Sequence, residues 1–201
     1  MKVVEKTRAQ KSNFKFCIIV AGLVIFGVLL GSVGLYALSY EKLNDFSFVQ
    51  NYIVTERKSM DVIKILLNSF VTGTLFLIIP FLLGFSAISR PLLFAVPVFR
   101  GLGLGIGIAS LYYSMGYKGI AVAALTIVPP AVITVYALVI GIRESFLISG
   151  NLASVMFSKR NFMGLGEAAK LYCVKYLVLE AIVAVGSAVD ALCSLIMFRI
   201  I

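Results

Sequence analysis

Three charged side chains interrupt long apolar runs of this 201-residue chain, and their types could support chemistry: Arg100, Glu180 and Asp190. A charge inside a bilayer costs about 2.5–3.5 kcal/mol on insertion scales, so each should face protein or water. Glu180 and Asp190 would be the acids of an aspartyl-type dyad. They are ten residues apart, about 15 Å along a helix axis, which is too far for shared-proton chemistry.

Other catalytic arrangements are disfavoured by residue type. The chain has no His, which excludes a Ser-His or Cys-His nucleophile pair and a His-ligated metal. Its three cysteines, Cys17, Cys173 and Cys193, show no C-x-x-C spacing, and an odd number gives no closed disulfide set. Buried, inert thiols are therefore predicted. We expect no enzymatic activity, no cofactor and no metal site.

The depth of the charges along their helices suggests a partnership. Arg100 is eight residues from Leu92 and Glu180 eight from Tyr172, so both would lie about 12 Å from the inner membrane edge. This predicts an Arg100–Glu180 contact between the third and fifth spans, within a network that includes Asp190. The network would either fix the assembly or form a proton or ion pathway.

Composition defines the setting of these residues. Hydrophobic residues make up 61% of the chain and charged residues 13%, against about 25% charged in an ordinary soluble domain. Such a chain cannot hide its apolar surface from water, which excludes a soluble domain, a disordered chain and a nucleic-acid-binding module. The net charge of +9 fits basic inner loops in contact with anionic lipid headgroups.

Apolar runs long enough to cross a bilayer predict an all-α, polytopic bundle of five transmembrane helices. A basic cytoplasmic N-terminus, 1–15, would precede one membrane domain, 16–201, with an outer loop at 39–64. The run 145–158 is too short to span and would be an inner amphipathic helix or an extension of the fourth span. The basic residues favour N-in/C-out topology. The predicted spans are 16–38, 65–89, 98–114, 120–142 and 171–198.

Glycines and prolines predict where helices meet and bend. Small residues four apart let helices approach closely in lipid, within one chain or between copies, and three such pairs occur: Gly27 with Gly31, Gly101 with Gly105, and Gly103 with Gly107. Pro129 and Pro130 should kink the fourth span, as a packing kink or a moving hinge. Before the third span, residues 92–97 are predicted to form a partly embedded turn.

The outer loop contains an aromatic and aliphatic patch with two interpretations. The patch could dock a partner domain, or it could anchor the loop at the lipid interface. Its residues are Phe46, Phe48, Tyr52, Ile53 and Val54.

Several short motifs follow one another along the chain. Span one has Gly27-Val-Leu-Leu-Gly31. Between Asn68 and Asn151 come Phe81-Leu-Leu-Gly84 through Ser89-Arg90-Pro91, Phe99-Arg100-Gly101 with Gly105 and Gly107, Met115-Gly116-Tyr117-Lys118-Gly119, and Ile127-Val128-Pro129. With these motifs the chain, chiefly from Asn68 to Asn151, resembles the stage II sporulation protein M family. The chain departs from the family pattern after Pro129, where Pro130-Ala131 replace the frequent Gln-Asn.

The resemblance implies a non-catalytic protein of the bacterial cytoplasmic membrane, in the septal and engulfing membranes of endospore formers. It also implies two partners, the stage II sporulation proteins D and P, which are peptidoglycan-degrading and have wall-facing catalytic domains. A scaffold of this complex is the first functional hypothesis. A small transporter or permease subunit using Arg100, Glu180 and Asp190 is the alternative, because transporters also use broken helices and intramembrane charges.

Overall fold

The structure is a computed structural model that describes residues 2–39, 62–86, 89–158 and 165–200. These residues form seven helices: α1 (Lys2–Ser39), α2 (Val62–Gly84), α3 (Arg90–Leu93), α4 (Ala95–Met115), α5 (Tyr117–Thr126), α6 (Val128–Ser158) and α7 (Leu165–Ile200). The all-α class is confirmed.

Five stretches of the described helices are long and apolar enough to cross a membrane, so the chain is a multi-pass membrane protein. They are Lys15–Ala37, Val62–Gly84, Arg90–Tyr113, Val128–Val155 and Gly166–Ile196. The number of predicted spans agrees with this count. The N-in/C-out orientation stays a prediction.

α6 is the central helix of the bundle. Half of its span is buried inside the protein, compared with 22% of the spans in α1 and α2. One apolar cluster joins α6 to α2 and α7 around Leu77, Ala137 and Val183. A second joins α6 to α1, α3 and α4 around Val20, Leu93 and Ile142. α6 therefore holds the two sides of the bundle together.

The fourth span differs from its prediction at both ends. A separate ten-residue helix, α5, precedes it, and the break lies at Ile127, whose N–H still bonds the Ala123 carbonyl at 2.8 Å. Pro129 and Pro130 therefore lie in the first turn of α6, where an absent N–H leaves no helical bond unmade, rather than kinking mid-span. The run 145–158 is the continuous second half of α6, so the extension interpretation is correct and a separate inner helix is not.

The third span also begins earlier than predicted. Arg90 to Leu93 form one helical turn, and α4 follows from Ala95. Pro91 and Pro97 both fall near helix starts, where proline is tolerated. The predicted embedded turn at 92–97 is thus helical except at Phe94.

A sharp turn reverses the chain between α4 and α5. Gly116 has φ +61°, a conformation that residues with a side chain rarely adopt. Its N–H donates to the Tyr112 carbonyl at 2.8 Å, and the Gly119 N–H donates to the Gly116 carbonyl at 3.0 Å. The turn is confined to Gly116, because α5 begins at Tyr117.

Candidate functional site

Arg100 lies in the middle of the third span and is held by groups inside the bundle. Its Nη2 donates a hydrogen bond to Oγ1 of Thr134 on α6 at 3.1 Å. Its guanidinium lies 5.0 Å from the ring centroid of Phe76 on α2, within cation–π range. Asp190 on α7 attracts it electrostatically. The side chain thus links α4 to three other helices.

Glu180 has a different partner from the one predicted. Its Oε1 accepts a hydrogen bond from the hydroxyl of Thr74 on α2. The predicted Arg100–Glu180 contact is therefore wrong, although both residues lie near mid-span as expected. Two residues at the same depth in the membrane need not point toward each other. Glu180 faces α2 from one side of α7, while Asp190 is the α7 acid that interacts electrostatically with Arg100.

A buried chain of hydroxyl groups joins α2, α6 and α7. Oγ of Ser145 lies 2.6 Å from the hydroxyl of Tyr176 and 2.9 Å from that of Tyr172. Tyr172 donates to the Phe81 carbonyl at 3.0 Å, and Tyr176 to the Gly141 carbonyl at 2.9 Å. Phe81 is in the last turn of α2, whose carbonyls lack helical partners. The chain thus satisfies polar groups that lipid could not.

Two serines complete the capping of the α2 end. Ser89 Oγ donates to the Ser86 carbonyl at 2.9 Å and also contacts the Leu83 carbonyl. Ser149, fully buried on α6, donates to the same Ser86 carbonyl at 2.7 Å. Side chains from three parts of the fold therefore satisfy the chain where it leaves α2.

Glu144 on α6 forms two ion pairs, one to Lys175 on α7 and one within α6 to Arg143. Lys175 Nζ lies 2.6 Å from its Oε2, and Arg143 Nη1 lies 3.1 Å from its Oε1. Glu144 is buried, while the Lys175 side chain is 44% exposed. The Lys175–Glu144 pair is therefore open on the lysine side.

Sequence reasoning missed both the hydroxyl chain of Ser145, Tyr172 and Tyr176 and the ion pairs of Glu144. The adjacent charges Arg143 and Glu144 inside an apolar run were the signal for the ion pairs. Tyr172 and Tyr176 share a helix face at i, i+4, but spacing alone does not reveal that Ser145 covers that face.

The predicted glycine contacts separate into two groups. A Cβ on Gly27 or Gly31 would meet the carbonyls of Val98 and Leu102 on α4, and one on Gly101 or Gly105 would meet those of Val24 and Val28 on α1. These four glycines pack α1 against α4 within the chain. Ser32 adds a hydrogen bond to the Gly105 carbonyl at 3.3 Å.

The third predicted glycine pair does not serve the same contact. A Cβ added to Gly103 would have no other atom within 4 Å. A Cβ added to Gly107 would lie 3.7 Å from Cδ1 of Ile127, which is an ordinary van der Waals contact. Gly103 and Gly107 therefore make no close helix–helix contact of this kind among the described residues.

Two further predictions have different outcomes. Phe46, Phe48, Tyr52, Ile53 and Val54 lie outside the described residues, so the docking patch stays a prediction. The cysteines are free, as expected, but Cys173 is exposed rather than buried, and Cys17 and Cys193 are half-buried.

Comparison of the chain with protein-family models, curated proteins and solved structures gives no match. The geometry and the sequence are therefore the grounds on which a function is inferred.

Proposed function

We propose that this chain is a non-enzymatic scaffold of a peptidoglycan-remodelling complex that acts during endospore formation. It would lie in the bacterial cytoplasmic membrane at the septum and engulfing membrane. Its partners would be wall hydrolases of the kind represented by stage II sporulation proteins D and P. The ordered motifs shared with the stage II sporulation protein M family support the identity of the complex.

The observation that carries the scaffold role is how the bundle uses its intramembrane polar groups. Arg100 is held by Thr134 and Phe76, and Ser145 by two tyrosines. Each contact joins different helices and fixes their relative position. Polar residues placed in this way stabilise one arrangement of the helices, as a platform for other proteins requires.

The motifs that carry the resemblance coincide with helix junctions. Gly27, Gly31, Gly101 and Gly105 form the α1–α4 contact. Ser89-Arg90-Pro91 starts α3, and Gly116 makes the α4–α5 turn. These positions are required by the shape of the bundle and need no substrate to explain them.

Affinity purification from sporulating cells in mild detergent tests this proposal. Tagged wild-type chain should recover cell-wall hydrolases, and a tagged multi-pass protein of similar abundance should not. Recovery of the intact chain without hydrolases, in the stages when the septum is remodelled, would contradict the proposal.

The two acids inside the fifth span, Glu180 and Asp190, make proton or ion movement a second candidate, because acids at membrane depth can mark such pathways. Purified chain in sealed vesicles with an entrapped pH dye separates the two functions. A scaffold should leave the decay of an imposed pH gradient equal to that of empty vesicles, whereas a proton-coupled carrier should accelerate it.

The proposed orientation has its own test. Five crossings place the two termini on opposite sides of the membrane. Labelling of single cysteines introduced near residue 5 and residue 200 in intact cells should reach only the C-terminal one. Labelling at the N-terminus alone would reverse the N-in/C-out assignment.

A further inference from the structure

A groove of about 400 Å³ lies on the lipid-facing surface between α2 and α7. α2 contributes Thr74, Leu77, Ile78 and Phe81. α7 contributes Cys173, Tyr176, Leu177 and Glu180. Both sets have the spacing i, i+3, i+4, i+7, which is one helix face over two turns. The groove therefore follows the helix axes for about 10 Å, a shape that accepts the side of another helix.

The groove has one charged group. Glu180 accepts a hydrogen bond from Thr74, which is neutral. Glu180 takes part in neither of the ion pairs that Glu144 forms with Lys175 and Arg143. A carboxylate in this position has its charge uncompensated by the bundle, and an uncompensated charge at membrane depth is costly. Charge complementarity thus favours an occupant with a cation.

The depth of Glu180 selects the source of that cation. Glu180 is 14 residues from Gly166 and 16 from Ile196, the ends of its span, which corresponds to about 20 Å or more from either end. In a hydrocarbon core about 30 Å thick, the headgroup amines would lie about 15 Å from a residue at the middle of such a span. A second copy of the chain is also disfavoured, because the described cations well inside its candidate spans are engaged internally. Thr134 and Phe76 hold Arg100, and Glu144 pairs with Arg143 and Lys175.

We propose that this groove binds a transmembrane helix of a partner protein that carries a Lys or Arg at mid-span, with Glu180 as the counter-charge. The inference deepens the proposed function and rests on it, since a scaffold needs a surface that holds a partner's membrane segment. Leu177 and Ile78 supply the apolar contact on either side of the charge, and Thr74 orients the carboxylate.

Cys173 provides a direct reporter because it lies in the groove and is exposed. The full chain with Cys17→Ala and Cys193→Ala would be reconstituted in phosphatidylcholine vesicles. The probe is a synthetic Leu/Ala helix of about 23 residues, long enough to span, with a central Lys and one Cys. That Cys is placed seven residues from the Lys, on either side in two peptides, to match the Cys173-to-Glu180 interval.

Disulfide trapping under mild oxidation should favour the Lys peptide over an otherwise identical Leu peptide by about tenfold, the change that 1.4 kcal/mol produces. Glu180→Gln should reduce trapping to the level of the Leu peptide. Glu180→Lys should reverse the preference toward a peptide with a central Glu, which shows that the variant still folds. Glu167→Gln, which removes an exposed acid of the same helix, is the matched control and should change nothing.

Equal trapping of the Lys and Leu peptides by the wild-type groove would overturn the proposal, as would a Lys preference that survives Glu180→Gln. Chain-to-chain disulfides through Cys173 that exceed peptide trapping would make a second copy the occupant and would also overturn it. If the peptides fail to discriminate while hydrolases still co-purify, only the groove is rejected. If they discriminate but no hydrolase is recovered, only the proposed complex is rejected.

Discussion

The α1–α4 contact and the α2–α6–α7 contact join helices by opposite means. In the first, four glycines bring two backbones together so closely that an added Cβ would meet a carbonyl of the other helix. In the second, tyrosines, a serine and aliphatic side chains fill the space between the helices, and hydroxyl groups link them. The first contact depends on glycines, which have no side chain to separate the backbones. The second depends on side chains that fill the interface and form hydrogen bonds across it.

Both ways of joining helices are needed because the surrounding solvent is lipid. Lipid gives no hydrophobic drive for helices to associate, so close packing and interhelical hydrogen bonds must supply the attraction. The α1–α4 contact uses the packing route over a long stretch of both helices. The α2–α6–α7 contact uses the hydrogen-bond route, and α6 connects the two. Added volume should damage the first contact, whereas removal of a polar atom should damage the second.

The largest effect is expected for Gly101→Leu, because the new side chain would meet the α1 backbone at Val24 and Gly27. Overpacking costs about 1–3 kcal/mol and sometimes more, and we expect the upper end because backbone cannot move aside. Unfolding by SDS titration in mixed micelles measures the change. Gly103→Leu is the matched control, since its Cβ position is open; equal losses in both variants would refute the close contact.

The next effect is expected for Thr134→Val, which removes the hydroxyl that accepts from Arg100. A hydrogen bond to a charged group contributes about 1.5–3 kcal/mol, so we expect a loss of about 2 kcal/mol in the same titration. Thr72→Val, at an exposed threonine of α2, should be neutral within error. A neutral Thr134→Val would show that Asp190 and Phe76 suffice for Arg100.

A smaller loss, about 1 kcal/mol, is expected for Tyr172→Phe. This variant keeps the ring, which stacks on Phe81, but removes the hydroxyl that bonds Ser145 and the Phe81 carbonyl. Tyr136→Phe, at a residue 60% exposed, is the control. If the two variants unfold at the same SDS fraction, the hydroxyl chain is not what holds α2 to α7.

The smallest effect, below about 1 kcal/mol, is expected for Glu144→Gln. Its cations are partly exposed, Lys175 by 44% and Arg143 by 29%, and the amide oxygen of Gln can still accept a hydrogen bond from one of them. Glu167→Gln is again the control. A loss comparable to that of Thr134→Val would mean that this pair is as protected as Arg100.

Much of the fold could be predicted because local properties decide it. Runs of apolar residues fixed five spans, and Gly116 fixed the α4–α5 turn. Pro129 and Pro130 marked a real break but not its position, since proline stops a helix before it as readily as it starts one after it. The length of α6 was underestimated because Arg143 and Glu144 read as the end of a span, whereas they pair with each other and with Lys175.

The candidate site was predicted less well. Arg100, Glu180 and Asp190 were singled out correctly as intramembrane charges, but the partner of Glu180 is Thr74. Helical periodicity states which residues share a face and how deep each lies. It does not state which other helix covers that face.

By itself the sequence determined that this chain dissolves in lipid as helices, how many of them are long enough to cross a membrane, and which residues within them are too polar to face hydrocarbon. These properties depend on each segment's own composition and its transfer from water. Only the tertiary structure decided that α6 is central, that four glycines are used within the chain, and that Glu180 opens onto a groove. Those outcomes depend on contacts between segments far apart in sequence. Each contact contributes a small packing or hydrogen-bond energy, and only the assembled helices show which set of contacts is most favourable.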